Sequence, residues 1–267
     1  MTTKTFPLTG PIDLVGRVAH GSFRVDARDD VSEATVTISA QNAASLAEAV
    51  VEMRGSTLVV MMPRQGGIFD LPILRARAKE AVDIEVVVPS GTPVKISSYT
   101  AAITIDGRVG SADLASGAAS VEADEVDGDL RLRFGSGNAH VQLVRGDAQS
   151  RAGSGNVDFG EVTGALTSAC GSGDLTVGTS RGSVRTRAGS GDVRVGVAYG
   201  DVDFVSGSGS IVVGVPAGTS ARLDVTSGSG RVQSEMPVES QPATNERQVS
   251  VRIRTGSGDI RLVRAAA

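Results

Sequence analysis

Gly153-Ser-Gly-Asn-Val-Asp-Phe-Gly-Glu-Val-Thr-Gly-Ala-Leu-Thr-Ser-Ala-Cys170 runs directly into Gly171-Ser-Gly-Asp-Leu-Thr-Val-Gly-Thr-Ser-Arg-Gly-Ser-Val-Arg-Thr-Arg-Ala188, and the two align position for position. Gly-Ser-Gly begins at Gly135, Gly153, Gly171, Gly189 and Gly207, each 18 residues after the last, and Gly117 extends the series backwards. A second glycine column, Gly110, Gly128, Gly146, Gly164, Gly182, Gly200 and Gly218, keeps the same period. Composition alone does not produce two glycine ladders in one register. The chain is a repeat protein.

Between the glycines the apolar residues also fall into columns. One holds Ile103, Val121, Ala139, Val157, Leu175, Val193 and Ile211; two residues on lie Ile105, Ala123, Val141, Phe159, Val177, Val195 and Val213. The residue between is mostly polar, such as Glu122, His140, Asp158 or Arg194. Alternation at period two marks a strand with one buried face. A second alternating pair follows in each unit: Leu130/Leu132, Leu166/Ser168, Val184/Thr186 and Val202/Phe204. Each unit therefore reads strand, glycine turn, strand, glycine turn.

A stacked coil and an antiparallel meander both accommodate that pattern. The two turns of each unit differ consistently, which a coil requires because like corners stack, and which a meander does not. Proline is absent between Pro93 and Pro216, as expected where strands are hydrogen-bonded on both sides. The expected fold is all-β: a right-handed parallel β-solenoid of 18-residue coils with two strands each, two- or three-sided in cross-section. In the column Ser98, Ser116, Phe134, Ala152, Cys170, Ala188, Ser206, only Phe134 is large, and it is expected to displace neighbours or lean outward.

Regularity loosens at both ends. Residues 1–90 alternate as strands at Gly21–Ala27, Ala34–Ser39, Leu58–Met62 and Val82–Val88, with a short helix expected at Ala47–Met53 behind Ser45 and Glu48. This stretch reads as a strand-rich N-terminal cap continuous with solenoid repeats over 91–267. Gly-Ser-Gly recurs at Gly228 and Gly256 around an inserted loop at 234–247 containing Pro237 and Pro242. If the coil of Ile260 and Leu262, last in sequence, lacks a cover, its open backbone edge offers pairing to another subunit.

Composition narrows the function. With 30 acidic and 26 basic residues the chain is weakly acidic, and aromatics are only 3%, so the basic stripe and stacking rings of a nucleic-acid binder are not expected. One cysteine excludes a disulfide scaffold. No apolar run spans a membrane, and Met1–Leu14 lacks the apolar core of a signal peptide, so a cytoplasmic location is expected.

Pro89-Ser-Gly before the repeats, the recurring Gly-Ser-Gly-Asp/Asn followed by alternating Val or Leu, and the strand-rich lead-in together resemble the bacterial putative-adhesin β-repeat family of unknown function. The resemblance covers nearly the whole chain. It implies a β-helical repeat domain and brings no catalytic residues with it.

Chemistry has few candidates. Stacking would align Asn138, Asn156, Asp174 and Asp192, with Asp259 on the last coil, and Asp174 and Asp192 are the candidate ligands for a hard cation. The competing explanation is turn closure by side-chain to backbone bonds, and it fits the same residues. Asp129, Asp147 and Asp201 at the other corner read the same way. A glycan-cleaving site would need paired carboxylates in one groove, whereas acids here are scattered. His20 and His140 are far apart, and Cys170 lies in an inward column as filler. Arg181, Arg185, Arg187 and Arg194 form the densest basic cluster, interspersed with acids. No cofactor is expected. The expected role is a non-enzymatic scaffold acting on a protein partner or on itself through its ends, with a surface adhesin or carbohydrate-binding module as the alternative and a β-helical glycan-active enzyme as the second alternative.

Overall fold

The structure is a computed structural model that describes residues 1–41, 46, 49–62, 81–236 and 247–265. The described chain forms 25 β-strands in two compact units, Met1–Gly128 and Asp129–Ala267.

The second unit holds the regular repeats. One of its sheets contains β13 (Ala139–Val144), β15 (Val157–Val162), β17 (Leu175–Ser180), β19 (Val193–Ala198) and β21 (Ile211–Pro216). The other contains β12 (Leu130–Phe134), β14 (Ala148–Ala152), β16 (Leu166–Cys170), β18 (Val184–Ser190) and β20 (Val202–Ser208). Consecutive members of each sheet are parallel. Val157 lies beside Leu175 and Leu175 beside Val193; Leu166 lies beside Val184 and Val184 beside Val202. The chain therefore winds, alternating between sheets, and the inward columns expected from period-two spacing are buried: Val157, Leu175, Val193 and Ile211 are at most 2% exposed. Burying one such side chain contributes about 1.5–3 kcal/mol, so register is held by every winding at once.

Phe134 corrects one expectation. It is buried, not tilted to solvent, because Gly155 on the next winding leaves room: a Cβ there would stand 2.7 Å from the Phe134 ring.

The last windings do not follow chain order. After β21 the chain forms β22 (Thr219–Ser227) and β23 (Val232–Ser234), and then β24 (Arg247–Ser257) and β25 (Ile260–Ala265). In space β24 lies between β20 and β22, and β25 lies between β21 and β23. The coil of Ile260 is covered, so the condition for an open edge there is not met: Ile260 has Ile211 on one side and Val232 on the other and is fully buried. The exposed terminal positions are Leu223 and Val232, at 39% and 49%. The loop expected at 234–247 lies mostly outside the described residues.

The first unit winds the same way, with antiparallel edges. Its sheets run β1 (Thr2–Pro7), β4 (Glu33–Ala40), β7 (Val82–Pro89), β3 (Gly21–Arg28), β9 (Ala102–Val109), β11 (Val121–Val126), and β5 (Val50–Arg54), β6 (Thr57–Met61), β2 (Asp13–Val18), β8 (Val94–Ser98), β10 (Ala112–Ser116). β7, β3, β9 and β11 are parallel, as are β6, β2, β8 and β10. β1, β4 and β5 pair antiparallel and end the two sheets. Edge strand β1 carries Lys4 and Pro7, which blunt further pairing, and Lys4 Nζ donates to the Val51 carbonyl of β5 at 3.1 Å. That bond ties the edges of the two sheets together. Between the sheets, Phe23 fills the space over Gly16, where a Cβ would stand 2.4 Å from the ring.

The helix expected at Ala47–Met53 gives way to strand from Val50, with residues 47–48 outside the described set. Pairing with β6 and burial of Val51 outweigh a local helical preference that was weak to begin with.

Candidate functional site

Asp174 and Asp192, the candidate cation ligands, belong to ladders of hydrogen bonds at the corners. Asn156 Oδ1 accepts the Asp174 N–H at 3.0 Å, Asp174 Oδ1 accepts the Asp192 N–H at 2.8 Å, and Asp192 Oδ1 accepts the Ser210 N–H at 2.8 Å. At the opposite corner Asp129 Oδ1 accepts the Asp147 N–H at 2.9 Å and Asp147 Oδ1 accepts the Ala165 N–H at 2.8 Å. These bonds run from one winding to the next across 18 residues, whereas turn closure would keep them within one turn. One oxygen of each acid is thus committed to a backbone donor that would otherwise be unpaired at a bend. Among the described residues no cluster of three metal-ligating side chains forms.

The repeat glycines have the same winding-to-winding logic. A Cβ on Gly153 would stand 2.4 Å from the Gly135 carbonyl oxygen, on Gly171 2.3 Å from that of Gly153, on Gly189 2.5 Å from that of Gly171, and on Gly207 2.5 Å from that of Gly189. Gly256 abuts Gly207, and Gly228 abuts Gly256, following the spatial order of windings. The corner is glycine because the neighbouring backbone occupies the side-chain position. A third column, Gly160, Gly178, Gly196 and Gly214, is crowded in the same way by the carbonyl one winding earlier. It too has an 18-residue period, a signal present in the sequence itself.

Among the described residues, groups able to do acid–base work are not assembled. His140 Nδ1 faces Asp158 at 3.4 Å on an exposed column. The Arg28 hydrogen bond holds the Asp26 carboxyl below its ordinary pKa, and the Ser90 hydroxyl with Arg108 does the same for Asp29. A general acid needs the opposite shift. Cys170 is buried, and burial pushes its thiol pKa up, away from nucleophilic use.

The basic residues are rearranged most. Arg181 pairs with Glu161 at 2.5 Å and lies 5.8 Å from the Tyr199 ring, and Arg194 is on the outer face of the sheet containing β19. Only Arg185 and Arg187 of the sequence cluster share a face, and there they meet arginines from distant windings. One outer column runs Arg131, Gln149, Thr167, Arg185, Asp203, Arg252, Asp224. Beside it runs Arg133, Arg151, Ala169, Arg187, Val205, Arg254, Thr226. These two columns carry seven arginines against two aspartates, on a chain of net charge −4. Arg185 approaches Asp203 at 3.6 Å, and Asp224 is shared by Arg252 at 3.3 Å and Arg254 at 3.9 Å. Arg131, Arg151 and Arg187 have no ion pair among the described residues. Neighbouring strands stand about 4.8 Å apart, so Arg133 and Arg151 are held close together by the backbone.

The Toastrack DUF4097 family profile matches residues 22–265. Among solved structures, a putative adhesin from Parabacteroides merdae is similar in fold over 98% of this chain and 95% of its own, at 9% identity and a TM-score of 0.58. A putative lipid binding protein from Parabacteroides distasonis is similar over 98% of this chain and 96% of its own, at 14% identity and a TM-score of 0.58. The chain has no significant match among curated proteins. With the profile matching most of the chain, every regular winding included, the chain belongs to the Toastrack DUF4097 family.

Proposed function

We propose that the protein is a non-enzymatic interaction scaffold whose arginine face holds an extended, acidic segment of a partner protein. The observation that carries this is the pair of outer columns with seven arginines and two aspartates. Guanidinium groups match carboxylates as two-donor forks and are less tightly hydrated than ammonium groups. Packed side by side on a rigid sheet, they repel one another until an anion lies between them. The stripe is two side chains wide, a width that suits a single extended chain. It contains no aromatic ring for bases or sugar rings to stack on, which favours a polypeptide over a nucleic acid or a glycan. Such a partner is available in the cytoplasm, the compartment proposed for this chain.

Fluorescence anisotropy with a labelled Glu-rich peptide tests the reading, with a carboxylated polysaccharide, duplex DNA and anionic vesicles as competitors. Peptide binding should weaken as salt rises, since exposed charges are screened within about 8 Å at physiological ionic strength. Replacing Arg131, Arg151 and Arg187 together by alanine should abolish binding, while Arg194→Ala on the other sheet should leave it intact. Preference for the polysaccharide moves the reading to a carbohydrate-binding module, the adhesin-type alternative. No binding to any polyanion removes it.

A further inference from the structure

Strand β22 ends its sheet in the second unit. β24 lies along one side, and no described strand lies along the other. Its nine residues, Thr219-Ser-Ala-Arg-Leu-Asp-Val-Thr-Ser227, complement themselves when reversed. An antiparallel pair of two such strands centred on Leu223 sets Leu223 against Leu223. On either side of the centre it sets Arg222 of one strand against Asp224 of the other, then Ala221 against Val225. Every position meets a residue of matching character, and the charged pair occurs twice.

The side chains are placed for this. Arg222 and Asp224 are exposed and, two residues apart, share the outer face of the sheet. Leu223 belongs to the inward column of Val184, Val202 and Val251, which are at most 2% exposed, yet Leu223 itself is 39% exposed. Arg222 lies beside Ser250 in its own sheet and has no ion pair among the described residues. Edge strand β1 of the first unit carries a lysine and a proline against further pairing; β22 has neither.

We propose that two copies of the chain join through β22, antiparallel, about a two-fold axis at Leu223. The occupant is a second copy because a two-fold strand pair requires self-complementarity, and the Arg-Leu-Asp centre supplies it. Opposite charges directly across an antiparallel pair attract, and like charges repel. The new strand continues the sheet and covers the wet side of Leu223. This surface lies at the sheet edge and does not depend on the arginine columns binding anything.

Analytical ultracentrifugation of the full chain, from low micromolar to near-millimolar concentration, reads the association directly. Wild type should dimerise. Arg222→Asp sets like charges opposite each other twice and should weaken dimerisation by roughly tenfold or more. Asp224→Arg should do the same, and the double exchange Arg222→Asp/Asp224→Arg should restore the dimer. Leu223→Cys should form an interchain disulfide on mild oxidation, since directly opposed Cα atoms at about 4.5–5.5 Å suit that bond. Unchanged circular dichroism and melting temperature for Arg222→Asp, measured at a concentration where the wild type is monomeric, separate lost pairing from lost folding. A monomer at every concentration overturns the proposal, as does a dimer indifferent to the single changes or not restored by the exchange. Replacing Arg131, Arg151 and Arg187 together by alanine, which removes peptide binding, should leave dimerisation intact, so either proposal can fail alone.

Discussion

The backbone N–H of Ser250 donates to Asp201 Oδ1 at 2.8 Å across 49 residues of chain, in the same kind of bond that elsewhere spans 18. A winding made late in the sequence has taken the slot next to β20, and the strands made before it lie beyond it. The corner chemistry is the same in both cases, so the inserted winding is held by the same bonds as its neighbours.

Position in the stack, and not position in the chain, should therefore govern stability. Ile260→Ala should cost about 2–5 kcal/mol, as for a fully enclosed core residue. Val232→Ala, at the exposed end of the same column, should cost less than about 1 kcal/mol. Urea denaturation of the two variants measures the difference, and equal costs would contradict the observed order of windings.

The corner glycines should resist the smallest substitution. Gly171→Ala drives a methyl to 2.3 Å from the Gly153 carbonyl oxygen, and a cost of about 1–3 kcal/mol is expected from the forced backbone shift. Gly10→Ala meets nothing within 4 Å and should be close to neutral. Thermal melts of the pair check this.

The acid ladder should behave as structure. Asp192→Ala removes the acceptor of the Ser210 N–H and should lower stability by about 1–3 kcal/mol, while Asp192→Asn, the side chain found at Asn138 and Asn156, should recover most of it. Calcium and EDTA should leave the melting temperature of the wild-type chain unchanged. A calcium-dependent rise abolished by Asp192→Asn would return the acids to the status of ligands.

Thr186 is buried at 1% exposure, and its hydroxyl has no hydrogen-bond partner among the described residues. Thr186→Val keeps the shape and removes the stranded polar atom, so stability should rise by about 1 kcal/mol. A lower melting temperature would mean that the hydroxyl is satisfied after all.

Cys170 makes stability depend on pH in a defined direction. Burial, reinforced by Asp174 and opposed by the Ser168 hydrogen bond, raises its thiol pKa in the folded chain. The unfolded chain then loses the proton first. The contribution is full below the ordinary thiol pKa and is lost as pH rises through that value toward the folded one. Urea melts should therefore show Cys170→Ala losing less stability than wild type between neutral and strongly alkaline pH. A thiol reagent should label the native protein far more slowly than the denatured one.

Much of this was legible in the sequence. Period-two columns placed Val157, Leu175 and Val193 inside and in register, because inward and outward positions alternate in any half-buried strand. The Gly-Ser-Gly spacing located the corners, although the crowding carbonyl became visible only once the windings were stacked. The arginine face was hidden: Arg131 and Arg252 are separated by most of the second unit, and only stacking sets them in one column. The sequence cluster around Arg181–Arg194 pointed elsewhere, because neighbours along the chain alternate between sheets and corners.

The repeat by itself determined what a winding is, namely which residues face inward, where the glycines must stand and which acids turn the corners, because these are local consequences of strand geometry and close backbone approach. Only the tertiary structure decided where each winding goes. Windings with interchangeable corners fit any slot in the stack, so periodicity carries no address. Placing β24 and β25 between older neighbours, with Leu223 left at the edge, was settled by long-range pairing and shared burial.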